Sequence, residues 1–170
     1  MRALRVAAYV GLLALAVVVQ VSVFGYLSVD GVAPDLALLV VVAGAAVRGA
    51  EFGAVLGFCA GLLLDLAPPA DHVAGRWALA LVVVGYLAGR LKGDLDRSAV
   101  AWVATVAGSA FVGTSLFALS GLVARDPSAP VGEALRVIAI SVGYDVLLTP
   151  LLLPVLVRLF RRLRPPALAF

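Results

Sequence analysis

Charged residues are scarce in this chain of 170 residues: they make up only 14% of it, whereas soluble domains carry about 25%. Hydrophobic residues make up 64%, and the mean hydropathy is +1.13. A surface of that composition would aggregate in water, because soluble monomers expose only small apolar patches. The scarcity of charge therefore excludes a soluble enzyme and predicts an integral membrane protein.

Cysteine and histidine are almost absent. Cys59 is the only cysteine and His72 the only histidine, so neither an intrachain disulfide nor a cage of Cys and His ligands for a metal can form. Cys59 lies in an apolar segment, where we expect it to be inert packing, and His72 lies in a predicted loop. The chain also lacks the Gly-x-Ser-x-Gly, His-Glu-x-x-His and phosphate-loop motifs. We therefore expect no metal, no cofactor and no enzymatic activity.

The apolar residues fall into six segments separated by turn-forming and charged residues. A transmembrane helix needs roughly 20 residues, so six spans would use the whole chain as one transmembrane domain, residues 1–170. Within the first segment, the apolar run from Val6 to about Phe24 follows Arg2 and Arg5. It exceeds the roughly 7–15-residue core of a signal peptide, so we interpret it as a retained first helix. The six segments are residues 4–27, 36–47, 52–66, 77–91, 99–123 and 135–159.

The number of spans depends on the second and third segments, which are short and could instead form one long helix from Pro34 to Pro68. The excess of Lys and Arg in cytoplasmic loops separates the two topologies. Five spans leave Arg48 within the membrane and place five basic residues inside and seven outside, whereas six spans place ten inside and three outside. We therefore predict an all-α bundle of six transmembrane helices with both termini cytoplasmic. The ten are Arg2, Arg5, Arg48, Arg90, Lys92, Arg97, Arg158, Arg161, Arg162 and Arg164, and the three are Arg76, Arg125 and Arg136.

Glycines at four-residue spacing mark one face of each of two predicted helices. Such small residues allow close approach of another helix, because packing must replace the hydrophobic effect in lipid. The face is either an internal contact with a neighbouring helix, which we favour, or a docking groove for a partner protein. The series are Gly53, Gly57 and Gly61 in the third segment and Gly85, Gly89 and Gly93 around the fourth.

Charged residues at the predicted helix ends have structural and functional interpretations. Asp35 precedes the second segment, and Asp65 ends the glycine face. Asp65 belongs either to a capped or solvated helix end, or it is a partner for Arg76 or for another protein. Arg48 flanks the tight turn together with Glu51, so it either closes the turn as an ion pair or contacts anionic lipid headgroups. We favour structural roles over catalysis for the residues at this turn.

Asp145 lies near the middle of the sixth segment, where an ionisable group is costly and marks a candidate functional site. We expect it to be protonated or hydrogen-bonded to Thr149, and we favour a polar contact within the bundle over a transport or proton site. The pair Tyr144-Asp145 invites comparison with intramembrane aspartyl proteases, which need a Gly-x-Gly-Asp motif as well. The nearest match ends at Gly93 and Asp94 but lacks the first glycine, so we reject that interpretation.

Four arginines between residues 158 and 164 follow the last segment. Such a run anchors a topology beside anionic lipid, or it binds a cytoplasmic partner. We expect no nucleic-acid partner.

Seven motifs follow one another along nearly the whole chain: Ala33 to Leu36, Arg48-Gly49, Gly53 to Phe58, Gly61 to Leu66, Gly75 to Leu79, Gly85 to Arg90 and Tyr144 to Pro150. Together with the length and the basic tail, this ordered set resembles MreD, the small membrane subunit of the bacterial cell-elongation machinery. Asp145 departs from that family, which often has Asn at this position.

The resemblance implies a fold similar to the substrate-binding subunits of energy-coupling-factor importers, and a place in the inner membrane. It implies partnership with MreC and a complex that includes MreB, RodA and a class B penicillin-binding protein. The expected function is non-enzymatic scaffolding or regulation of sidewall peptidoglycan synthesis, which maintains rod shape. The alternative is a transporter subunit that binds a vitamin-like small molecule, because the implied fold is shared.

Overall fold

The computed structural model describes residues 2–68, 73–95, 98–124 and 134–163. In that part of the chain all regular elements are helical, apart from an isolated bridge between Val29 and Val32. The all-α prediction is therefore confirmed. The elements are α1 (Arg2–Ser22), a 3-10 helix (Phe24–Leu27), α2 (Leu36–Arg48), α3 (Ala50–Leu66), α4 (Arg76–Arg90), α5 (Lys92–Leu95), α6 (Ala99–Val123) and α7 (Ala134–Arg162).

Three helices are long and apolar enough to cross a membrane: Ala3–Ser22 within α1, all of α6 and all of α7. Each leaves most of its residues outside the protein core. Lipid covers such apolar surfaces without cost, whereas water does not. These helices support the prediction of a membrane protein.

The shorter helix α2 forms the centre of the bundle. It contacts α1, α3, α4, α6 and α7, and its residues from Ala37 to Val47 are all buried. A helix that is apolar on every side is stable only when every side is covered, and the neighbouring helices provide that cover. The core is thus built around α2, with the three long helices towards the outside.

The turn between α2 and α3 consists of Gly49 alone. Its backbone has φ +98°, a conformation that costs glycine little and residues with a Cβ much more. Its amide donates to the carbonyl of Ala45 at 2.7 Å and so ends α2. The second and third segments are therefore two helices, as predicted, and the alternative of one long helix is wrong.

The glycine face of α3 packs against α4 in antiparallel orientation. A Cβ added at Gly53, Gly57 or Gly61 would collide with the backbone at Gly85, Leu81 or Trp77, respectively. The geometry is that of the internal interpretation, in which the two backbones touch because the glycines of α3 present no side chain to α4. Gly85 and Gly89 belong to the same contact, with Gly53 and Ala50 as neighbours, whereas Gly93 lies beyond α4 and faces open space.

We predict that Gly57→Ala destabilises the protein by about 1–3 kcal/mol, because the new methyl group meets rigid backbone atoms of Leu81. Gly108→Ala in α6 is the matched control, since a Cβ there meets nothing within 4 Å. Unfolding by sodium dodecyl sulfate in mixed micelles measures both variants. Equal stability of the two variants would contradict the close contact of α3 and α4.

Candidate functional site

The helix α2 begins inside the bundle rather than at its edge. Asp35, which precedes it, is buried and contacts Asp145 in α7. At 1.5 Å per residue, Asp145 lies about 16 Å along α7 from Ala134. The first backbone amides of a helix have no partner within it, and unpaired amides are costly at this depth. The start of α2 therefore needs hydrogen-bond acceptors from elsewhere in the chain.

The side chains of Gln20, Asp35 and Asp145 supply these acceptors. We call these three residues the α2 cap. Asp35 caps its own helix, since its Oδ1 accepts from the amide of Leu38 at 2.9 Å. The amide of Asp35 donates to Oδ1 of Asp145, also at 2.9 Å. The amide of Ala37 donates to Oε1 of Gln20 in α1 at 2.9 Å. Because the start of a helix is the positive end of its dipole, acidic side chains suit this position.

The α2 cap explains why Asp145 stands in the middle of a long apolar helix. The predicted contact with Thr149 exists, but its Oγ1 donates to the main-chain carbonyl of Asp145 at 2.7 Å and not to the carboxyl group. Within the described residues, Oδ2 of Asp145 is buried and has no hydrogen-bond partner. The α2 cap therefore uses only one oxygen of Asp145 as an acceptor. A charge on its second oxygen would be costly, because it is buried without a partner.

The connection from α1 to α2 is held against α7. The hydroxyl of Tyr144 donates to the carbonyl of Leu27 at 2.8 Å, and Arg136 forms an exposed ion pair with Asp30. Asp30 has a positive φ of 52°, which Asp tolerates better than most residues. These contacts help to bring Asp35 onto Asp145.

We predict that Asp145→Asn changes the free energy of unfolding by less than about 1 kcal/mol, because Asn keeps an oxygen acceptor for the amide of Asp35. Asp145→Leu removes that acceptor and should cost about 1–3 kcal/mol. Glu51→Gln, at an exposed carboxylate in α3, is the control for loss of charge alone. Unfolding in mixed micelles compares the three variants. If Asn is as damaging as Leu, the carboxyl group does more than accept one hydrogen bond.

Asp65 caps α4 in a similar way, although it belongs to α3. Its Oδ2 accepts from the amides of Gly75 at 2.9 Å and Ala78 at 3.0 Å, and its Oδ1 accepts from the amide of Trp77 at 3.1 Å. The side chain is 3% exposed. The solvated helix end that the sequence allowed is therefore wrong, because the carboxylate is buried against the first turn of α4.

Arg76 and Trp77 are engaged with α6. The guanidinium of Arg76 lies 3.9 Å from the ring centroid of Phe117 and donates to its carbonyl, with the shorter bond at 2.8 Å. The indole of Trp77 stacks on the same Phe117 at 4.5 Å between centroids. Arg76 is buried, and its cation–π contact compensates part of its desolvation. Asp65, Arg76 and Trp77 therefore join α3, α4 and α6 at one end of the bundle.

We predict that Asp65→Ala destabilises the protein by at least about 1–3 kcal/mol, because the amides of Gly75, Trp77 and Ala78 lose their acceptor. Asp65→Asn should be intermediate, since it replaces one acceptor oxygen by a donor. Glu51→Gln removes an exposed carboxylate from the same helix and should change stability by no more than about 0.5 kcal/mol. Thermal or detergent unfolding measures the stability of the three variants. Equal stability of Asp65→Ala and Glu51→Gln would contradict the role of Asp65 as the cap of α4.

Arg48 and Glu51, both among the described residues, form no ion pair, so the first of the two alternatives for this turn is wrong. The guanidinium of Arg48 donates to the hydroxyl of Tyr9 at 2.8 Å and lies 4.4 Å from the ring centroid of Phe52. The hydroxyl of Tyr9 in turn donates to the carbonyl of Leu163 at 3.0 Å. The aromatic rings offer Arg48 a partner inside the bundle, whereas Glu51 is exposed. This cluster joins α1, the turn after α2 and the end of α7.

The remaining candidates lie outside these clusters. Cys59 is exposed on α3, so the expectation that it packs in the interior is wrong. His72 and the side chain of Asp94 lie outside the described residues, as do residues 69–72 and 125–133 in the connections from α3 to α4 and from α6 to α7.

The buried carboxylates among the described residues therefore serve to start helices. Asp35, Asp65 and Asp145 each accept backbone amide hydrogen bonds. This arrangement fixes the positions of the helices relative to one another. Comparison of the chain with protein-family models, with curated proteins and with solved structures finds no match.

Proposed function

We propose that this chain is a six-span membrane protein of the MreD type, which organises the bacterial cell-elongation complex without catalysing a reaction. In this proposal MreC is its direct partner, and MreB, RodA and a class B penicillin-binding protein belong to the same complex in the inner membrane. The proposed fold is similar to that of the substrate-binding subunits of energy-coupling-factor importers.

The proposal rests on the structural role of the motif residues. Several residues that make up the resemblance start or pack helices: Asp35 in the α2 cap, Asp65 at α4, and Gly57 between α3 and α4. A family whose shared residues build a rigid bundle is suited to present a fixed surface to partners. Such a role needs no acid, base or nucleophile.

The positions of the helix ends support six spans. Tyr9, Arg48 and Leu163 meet, so the start of α1, the end of α2 and the end of α7 lie at one end of the bundle. Three of the six proposed spans, α2, α3 and α4, are shorter than a typical span, with 13, 17 and 15 residues. The non-helical approach to α2 ends at Asp35, whose amide is acceptable at depth because it is paired with Asp145.

The importer alternative needs polar and aromatic groups that are available to a ligand near the outer loops. Trp77 stacks on Phe117, and Arg76 is buried against the same ring. Both side chains are thus already engaged in packing α4 on α6, which favours the scaffold.

We predict that both termini face the cytoplasm and that the α3–α4 connection is external. The test uses a Cys59→Ala background, because the exposed thiol of Cys59 would otherwise react. A cysteine at position 71 should react with a membrane-impermeant maleimide in intact cells, and one at position 168 only after permeabilisation. The background protein without added cysteine controls for labelling at other sites. Labelling of both positions from the same side would contradict six spans.

We predict that MreC co-purifies with the tagged full-length chain in mild detergent from a rod-shaped bacterium whose own MreD is absent, and that rod shape is restored. Gly57→Leu should lose MreC because it separates α3 from α4, whereas Gly108→Leu should retain it. An unrelated tagged membrane protein at the same level controls for detergent carry-over. Recovery of importer ATPase subunits in place of MreC would overturn the proposal in favour of the transport subunit.

A further inference from the structure

A groove of about 330 Å³ runs between the start of α6 and the C-terminal half of α7. Its walls are mainly apolar, with Trp102 and Val103 on one side and Leu153 and Val157 on the other. Pro150 and Pro154, four residues apart on one face of α7, also line it. Both helices are long enough to span a membrane, so the groove lies on a surface that lipid covers.

Positive charge is concentrated at one end of this groove. Arg158 and Arg161, three residues apart and therefore on one face of α7, both line it. Ala99, the first residue of α6, lies in the opposite wall, and the start of a helix carries the positive end of its dipole. No acidic residue is among the described residues that line the groove. An apolar groove that ends at two guanidinium groups is complementary to an acyl chain joined to an anionic headgroup.

We propose that this groove binds one anionic phospholipid, with its phosphate at Arg158 and Arg161 and an acyl chain along Trp102, Val103 and Leu153. The apolar walls select a lipid over a soluble phosphate, since a free anion would leave them uncovered. Trp102 lies three residues from the start of α6, as expected of a tryptophan at headgroup level. This lipid site goes beyond the proposed function and does not depend on it.

The chain provides its own reporter for this site. Its two tryptophans are Trp77 and Trp102, so Trp77→Phe leaves Trp102 as the only indole. The full-length variant is reconstituted in phosphatidylcholine vesicles that contain a small fraction of acyl-brominated phosphatidylglycerol or, separately, acyl-brominated phosphatidylcholine. We expect brominated phosphatidylglycerol to quench Trp102 at a concentration at least about fivefold lower than brominated phosphatidylcholine, the preference that one well-placed arginine supplies. Equal quenching by the two lipids would overturn the proposal.

Neighbouring residues supply matched controls for the headgroup end. Arg161→Gln should reduce the preference for phosphatidylglycerol about fivefold, whereas Arg162→Gln, with the same change of charge on a residue that does not line the groove, should reduce it less than twofold. Equal losses in the two variants would show a diffuse attraction to the surface and overturn the bound-lipid site. Size-exclusion chromatography before reconstitution restricts the comparison to folded protein.

A second pair of variants tests the apolar part of the groove. Val103→Phe adds volume to its wall, whereas Val100→Phe adds the same volume on an exposed residue outside it. We expect Val103→Phe to weaken quenching by brominated phosphatidylglycerol at least threefold and Val100→Phe to leave it unchanged. Added glycerol phosphate should not compete at millimolar concentration. Competition by that soluble headgroup, or no difference between the two phenylalanine variants, would contradict an acyl chain in the groove.

Discussion

The hydrogen bonds from the first amides of α2 to side chains of other helices are the constraint on which the bundle depends. A helix that begins at a membrane surface can leave its first amides to water, but α2 begins beside the middle of α7. Asp145 in α7 and Gln20 in α1 accept hydrogen bonds from two of those amides, and Asp35, which precedes α2, accepts one from Leu38. The position of α2 relative to α1 and α7 is thereby fixed.

The same solution recurs where α4 begins. Asp65, at the end of α3, accepts three amides of the first turn of α4, while the glycine face between the two helices brings their backbones into contact. The two features depend on each other, because the carboxylate reaches those amides only if α3 and α4 lie this close. The result is a rigid core of short helices, α2 to α4, enclosed by the long helices α1, α6 and α7. Such a core can hold an exposed apolar surface in one shape for partners and lipid.

The sequence predicted the helices well because their apolar composition and their breakers are local properties. Glycines at four-residue spacing also predicted a close contact, since spacing alone places them on one face. The partners of polar side chains depend on which helices become neighbours, and this does not follow from local pattern. For Arg48 the local pattern therefore offered only Glu51, three residues away, or lipid headgroups, whereas its guanidinium donates to Tyr9 in another helix. Gln20 was overlooked, although a polar residue within the apolar first segment was the available signal.

Hydrogen exchange at individual backbone amides of the purified protein in detergent tests the α2 cap most directly. We predict slow exchange at Asp35, Ala37 and Ala78, whose amides all donate to side chains of other helices. In a folded Asp145→Leu variant, exchange at Asp35 should accelerate at least tenfold while exchange at Ala78 stays slow. Rapid exchange at Asp35 in the unmodified protein, or no change at Asp35 in the variant, would contradict the α2 cap.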